Sequence, residues 1–146
     1  MDLSKHIFIS HQRQCDLSEI EKLVEYLEAA GFKVQHGDMS LKEFEEILYG
    51  IECYICILDQ NSHQSKDLSR EIISAAMAGK KVFAVYCPTV NVEIQLPQAL
   101  DTCAIAVTEW NPPKLAEGLN GSDIGFSDQQ GKENKTTRST KPPKCK

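Results

Sequence analysis

Three apolar runs dominate this 146-residue chain: "HIFIS" (6–10), "CYICIL" (53–58) and "KVFAVYC" (81–87). Each is too short for a core helix, and a strand apolar along its whole length must be covered on both faces. The segments between the runs supply that cover. "LSEIEKLVEYLEAAG" places Ile20, Leu23, Val24 and Leu27 at helical spacing, with acidic residues early and Gly31 as its stop. "FKVQH" (32–36) alternates as a strand does, and "GDMS" turns the chain. In "LKEFEEILYGIE", Phe44, Ile47, Leu48 and Ile51 form a second helical stripe. "LSREIISAAMAG" gives a third helix, ending at Gly79, and "EIQLPQAL" a weaker one. "CAIAV" (103–107) is the predicted fifth strand, and "PPKLAEGL" the closing helix, with Pro at its start.

Strand and helix therefore alternate from one end of the chain to the other. This order predicts an α/β fold: a flavodoxin-like doubly wound sheet of about five parallel strands with helices on both faces. Ligands of such sheets bind beyond the carboxyl ends of the strands. The loops there are 11–16, 36–40, 59–67 and 88–92, and the polar clusters of the chain fall in them. Residues 1–120 are expected to form this one domain. Beyond Leu119 large apolar residues become rare, so 121–146 is predicted to be a disordered tail, unable to offset its ordering entropy by burial.

Charge separates the two parts. Residues 1–120 hold 10 Lys and Arg against 18 Asp and Glu, while 121–146 hold 6 against 3. An acidic domain excludes a nucleic-acid footprint, which needs clustered cations, and the basic tail reads as a solvated linker. No apolar run approaches a membrane span, and "MDLSKHIFIS" lacks a signal-type stretch, so a cytoplasmic, non-membrane protein is expected. Of the six cysteines, Cys53 and Cys56 have CxxC spacing but lie on one predicted strand. Side chains three apart on a strand face opposite ways and cannot share a metal or a disulfide. With Cys87 and Cys103 they read as small buried thiols, and no metal site is expected. Cys15 lies near His11, but nothing supplies the third group that a Cys–His nucleophile needs.

No GxGxxG follows the first strand, and GxxxxGK[ST] and HExxH are absent. Rossmann-type dinucleotide binding, P-loop chemistry and zinc proteolysis are excluded on those grounds. A phospho-receiver needs an acidic pair at the end of strand one, where this chain has Ser10 and His11. Phosphoryl acceptance at Asp59 is therefore not expected.

"FISH" at the first strand's end, "LEAAGFKV", "GIECYICIL" and "SKDLSREIISAAMAGKKVFAVY" together resemble the Toll/interleukin receptor (TIR) domain family, over roughly residues 5–119. The last segment is similar to the family's pattern of a Ser, a spacer, a Trp, three residues and a Glu at a helix start. Ser65 and Glu71 match it. The resemblance implies that Glu71 is the catalytic carboxylate of an NAD glycohydrolase or cyclase in immune or cell-death signalling. NAD would be its substrate rather than a resident cofactor. The resemblance further implies that Ser10, His11, Arg13, Asp38, Ser65 and Asp67 line the substrate site, and that partners are other TIR domains or a second copy. Two positions depart from the pattern: Asp67 stands where the family has Trp, and the loop after the second strand is short.

The chemistry of NAD cleavage suits a single carboxylate. Nicotinamide leaves as a neutral molecule, so no general acid is required; the need is for negative charge beside the ribose as it turns cationic. Arg13 offers the bidentate geometry that a pyrophosphate prefers. Taken alone, a glutamate opening a surface helix is ordinarily a dipole-compatible residue and no more. Two other functions fit the same residues: a non-catalytic TIR–TIR interaction module working through loop 36–43, and a nucleoside deoxyribosyltransferase-like enzyme. His36 and His63 are expected to be exposed and without a role.

Overall fold

Five parallel strands pair in the order β2-β1-β3-β4-β5. They are β1 His6–Ser10, β2 Lys33–Gly37, β3 Cys53–Leu58, β4 Lys81–Tyr86 and β5 Ala106–Thr108. The computed structural model describes residues 5–10, 17–37, 41–88, 90, 92–122, 124–127 and 129, with only the backbone of Leu41. The helices are α1 Leu17–Ala29, α2 Leu41–Leu48, α3 Lys66–Met77, α4 Ala99–Cys103 and α5 Pro112–Leu119. The flavodoxin-like doubly wound sheet expected from the alternating pattern is the observed fold.

Alternation along each strand builds two cores. Ile7, Ile9, Ile55, Ile57 and Val85 meet α1 and α5 on one face; Phe8, Tyr54, Cys56, Leu58 and Ala84 meet α2, α3 and α4 on the other. Every residue of β3 is buried, as its unbroken apolar run requires. Cys53 and Cys56 fall in different cores, as two positions three apart on a strand must. Both expected glycine stops close helices in the same way. Gly31 (φ 102°) ends α1, with Phe32 N–H donating to the Leu27 carbonyl at 3.1 Å. Gly79 (φ 79°) ends α3, with Lys80 N–H donating to Ala75 at 3.0 Å. A residue with a Cβ adopts that left-handed geometry only at a cost.

Two boundaries differ from expectation. Cys103 belongs to α4 rather than to the fifth strand, because Ala104 N–H still donates to the Leu100 carbonyl at 3.2 Å. Strand pairing resumes only at Ile105, whose N–H donates to Val82. The second concerns the domain's end, expected at residue 120. Phe126 bridges Val107 in parallel, adding a short sixth line of backbone pairing at the outer edge of β5. Ile124 packs into one core and Phe126 into the other. The fit against α5 is close: a Cβ on Gly118 would lie 2.7 Å from Ile124 Cδ1. The described part of the tail is docked, and 130–146 lie outside the described residues.

The docked segment is tied down at Glu109. Its carboxylate accepts from Thr108 Oγ1 at 2.7 Å, Ser127 Oγ at 3.0 Å, Lys114 Nζ at 3.0 Å and Asn111 Nδ2 at 3.2 Å. Burial alone pushes this carboxyl up, but the hydrogen bonds from Thr108, Lys114, Asn111 and its own backbone outweigh it and pull the pKa down to about 2. A carboxyl held below its ordinary value stabilises the fold above that value and loses the contribution as pH falls from about 4.5 toward about 2. The advantage of wild type over Glu109→Gln in urea midpoint should therefore shrink across that window. A constant difference would show that the charge of Glu109 contributes nothing.

Candidate functional site

The chain leaves β1 for β2 on one side and then returns across it to β3. Where the direction reverses, α1 and α3, the helices that follow β1 and β3, lie on opposite faces, and the crevice between the strands' carboxyl ends is the usual ligand position of this fold. Ser10 closes β1 there, paired with Cys56 of β3 and Gly37 of β2. Its side chain lies on the face covered by α3.

Glu71 reaches this point from α3. Ser65 caps the helix, its hydroxyl accepting from Leu68 N–H at 3.1 Å, so the helix begins at Lys66 rather than at Leu68. Glu71 is consequently the sixth residue of the helix and sits in its second turn, not its first. The helix dipole acts mainly over the first turn and is not what supports this carboxylate. Two hydroxyls do. Ser10 Oγ donates to Glu71 Oε1 at 2.7 Å, and Tyr54 Oη donates to the same oxygen at 2.9 Å. Glu71 is only 6% exposed, on a helix face it shares with Leu68, Ile72 and Ala75.

The electrostatics of the cluster favour this donor–acceptor sense. Burial pushes the Tyr54 phenol well above its ordinary range, and the neighbouring Cys56 and Glu71 push it further, so the hydroxyl keeps its proton. The Cys56 thiol is raised by burial and by Glu71. Both donors stand on strands, which fixes the carboxylate with little play.

The structure thus brings Ser10 and Glu71 together. Ser65 is used as a helix cap, and Asp67 is exposed in the first turn of α3. His11, Arg13 and Asp38 lie outside the described residues, as does Cys15. Tyr54 was missed in the sequence because a tyrosine inside "CYICIL" reads as strand filling. His63, expected to be exposed, is half-buried in a 3-10 turn, Ser62–Gln64, and its buried Nδ1 has no hydrogen-bond partner among the described residues. The turn itself is well braced. Asp59, 2% exposed, accepts from Asn61 N–H at 2.8 Å and from Ser62 Oγ at 3.3 Å. An aspartate so enclosed braces the loop. A cavity of about 470 Å³ lies at the other, amino end of the sheet, lined by His6, Lys33, Glu46, Gly50 and Ile51.

No family model and no curated protein matches the chain. Solved structures do. A pilus assembly protein (cpaE) from Burkholderia thailandensis is 16% identical, with a TM-score of 0.51 over 80% of this chain and 95% of that one. The likeness is one of fold alone. The TIR domains of the activated Roq1 resistosome, which recognises the pathogen effector XopQ, are 14% identical, with a TM-score of 0.46 over 57% of each chain. A diflavin flavoprotein A3 from Nostoc sp. is 10% identical, with a TM-score of 0.44 over 57% of this chain and 60% of that one. In these last two the match spans less than two thirds of the other chain, and the likeness is weak. Among the described residues, no helix is long and apolar enough to cross a membrane.

Proposed function

We propose that the protein hydrolyses the nicotinamide–ribose bond of NAD, with Glu71 as the carboxylate that stabilises the cationic ribose. The observation that carries this reading is the buried Glu71 carboxylate, gripped by Ser10 and Tyr54 at the point of sheet reversal where ligands of this fold bind. As the C–N bond breaks, its electron pair leaves with nicotinamide and positive charge spreads over the ribose. A fixed anion beside that carbon is worth about 3 kcal/mol in a site sheltered from water. Water then adds to the ribose and gives up a proton, yielding ADP-ribose. The buried Nδ1 of His63, on the loop that follows β3, has no partner among the described residues, and this supports a ligand at the same rim, because a buried polar atom without a partner costs about 1–3 kcal/mol. The direct test is nicotinamide release from NAD at high protein concentration, with and without a crowding agent. No turnover under either condition refutes the reading.

A second reading is a non-catalytic interaction module. It is favoured by Ile73 and Met77, one turn apart and exposed on α3, and by Tyr49 after α2, which is 90% exposed. That module would form complexes without consuming NAD, and Ser10→Ala or Tyr54→Phe would leave its binding intact. The enzyme, by contrast, should lose about tenfold in rate with either change, since each removes one charge-assisted hydrogen bond from the carboxylate. Exchange of bases between deoxynucleosides would instead mark a deoxyribosyltransferase-like activity.

A further inference from the structure

The segment beyond α5 reaches the ligand rim. Gln129 accepts from Ile94 N–H through Oε1 at 2.8 Å and donates through Nε2 to the Val92 carbonyl at 3.1 Å. Both partners belong to the loop between β4 and α4, at the carboxyl end of β4 and thus on the ligand edge of the sheet. The loop has little regular structure of its own: among its described residues, no helix or strand forms before α4. Its apolar anchors are Val90, partly buried against both cores, the buried Ile94 and Pro97, and the half-buried Leu96. The primary amide of Gln129 grips one donor and one acceptor two residues apart, a pairing that a carboxylate or a shorter amide cannot reproduce.

The anchorage behind Gln129 is firm. Phe126 pairs with Val107, Ser127 N–H donates to the Val107 carbonyl at 2.8 Å, and the Ser127 hydroxyl joins the Glu109 cluster. A side chain held at its base by a sheet edge transmits that order to the loop it touches. Without it the loop would rest on its apolar contacts and would sample more conformations.

We infer that Gln129 is a positioning residue: it latches the β4–α4 loop and so sets the geometry of the substrate rim from outside the site. The inference deepens the NAD-cleaving reading and rests on it for the identity of the substrate. Gln129 touches no reacting atom, so its loss weakens substrate capture and leaves the bond-breaking step alone.

The test compares wild type with Gln129→Ala, Gln129→Asn and Gln129→Glu in the full chain. Hydrogen exchange across residues 92–98 is expected to speed about tenfold in the alanine variant, as two latching bonds are lost. KM for NAD should rise about three- to tenfold with kcat within about twofold, the split expected of uniform binding. Asparagine, one methylene short, should behave as alanine; glutamate keeps the acceptor but not the donor and should fall between. Unchanged exchange overturns the latch, and faster exchange with unchanged KM overturns the positioning role. If wild type does not consume NAD, the functional reading falls separately. The latch is then decided by exchange alone, standing if residues 92–98 loosen in Gln129→Ala and falling if they do not.

Discussion

Glu71→Gln should abolish NAD consumption while leaving the fold in place. The amide has the shape of the carboxylate, and the Ser10 and Tyr54 hydroxyls still find an oxygen to donate to. What disappears is the charge. Removing a preorganised electrostatic stabiliser costs on the order of a hundredfold to a thousandfold in rate, and the neutral Ser10 and Tyr54 hydroxyls do not replace the charge. Nicotinamide release is the readout, and a thermal melt within a few degrees of wild type shows that the loss is chemical rather than structural. A variant that retains a third of the wild-type rate would remove Glu71 from the mechanism. A variant that unfolds would make the carboxylate a structural brace, and Tyr54→Phe, which removes one donor and no volume, would then separate the two roles.

The second large effect is on stability. Phe8, Phe44 and Tyr54 form a ring cluster beneath the site, with Phe44 5.6 Å from Phe8 and 5.3 Å from Tyr54, centroid to centroid. Phe44 is fully buried and, with Leu48 and Ile47, fastens α2 to the sheet. Phe44→Ala leaves a hole that rigid strands cannot close, and truncations of this kind cost about 3–5 kcal/mol. Against a total of about 5–15 kcal/mol this is a large share. The urea midpoint should fall by roughly 2 M with an unchanged slope. Because Tyr54 loses the ring that packs edge-on against it, activity should fall in the same variant before global unfolding begins. The exposed Ile73 provides the contrast: Ile73→Ala should change stability by no more than about 0.5 kcal/mol. A Phe44→Ala protein as stable as wild type would mean that α2 is held by something other than this cluster.

The sheet was legible because its signal is periodic and long: β3 and β4 are unbroken apolar runs, and the helices between them carry stripes that no other class of fold would bury. Gly31 and Gly79 could be read as stops because their positions require a positive φ. The site was half legible. Ser10 and Glu71 are 61 residues apart in the chain, and only a family resemblance linked them. Tyr54 was hidden because its ring serves the core while its hydroxyl serves Glu71, and hydrophobic patterning records only the ring. His63 was hidden because a loop histidine carries no periodicity. The docked segment escaped for a geometric reason. Ile124 and Phe126, two residues apart, would face the same way on a regular strand, but Gly125 (φ 68°) turns them into different cores. No alternation survives that turn, so the stretch reads as polar and loose.

Cys53, Cys56 and Cys87 are all but sealed from solvent, and burial holds the first two thiols protonated as well as hidden. A thiol in that state reacts with an alkylating reagent only when the sheet itself opens. The protein therefore carries its own clock for opening: following the modification of these three cysteines against time reports how often the middle strands come apart, with no dye, tag or engineered probe.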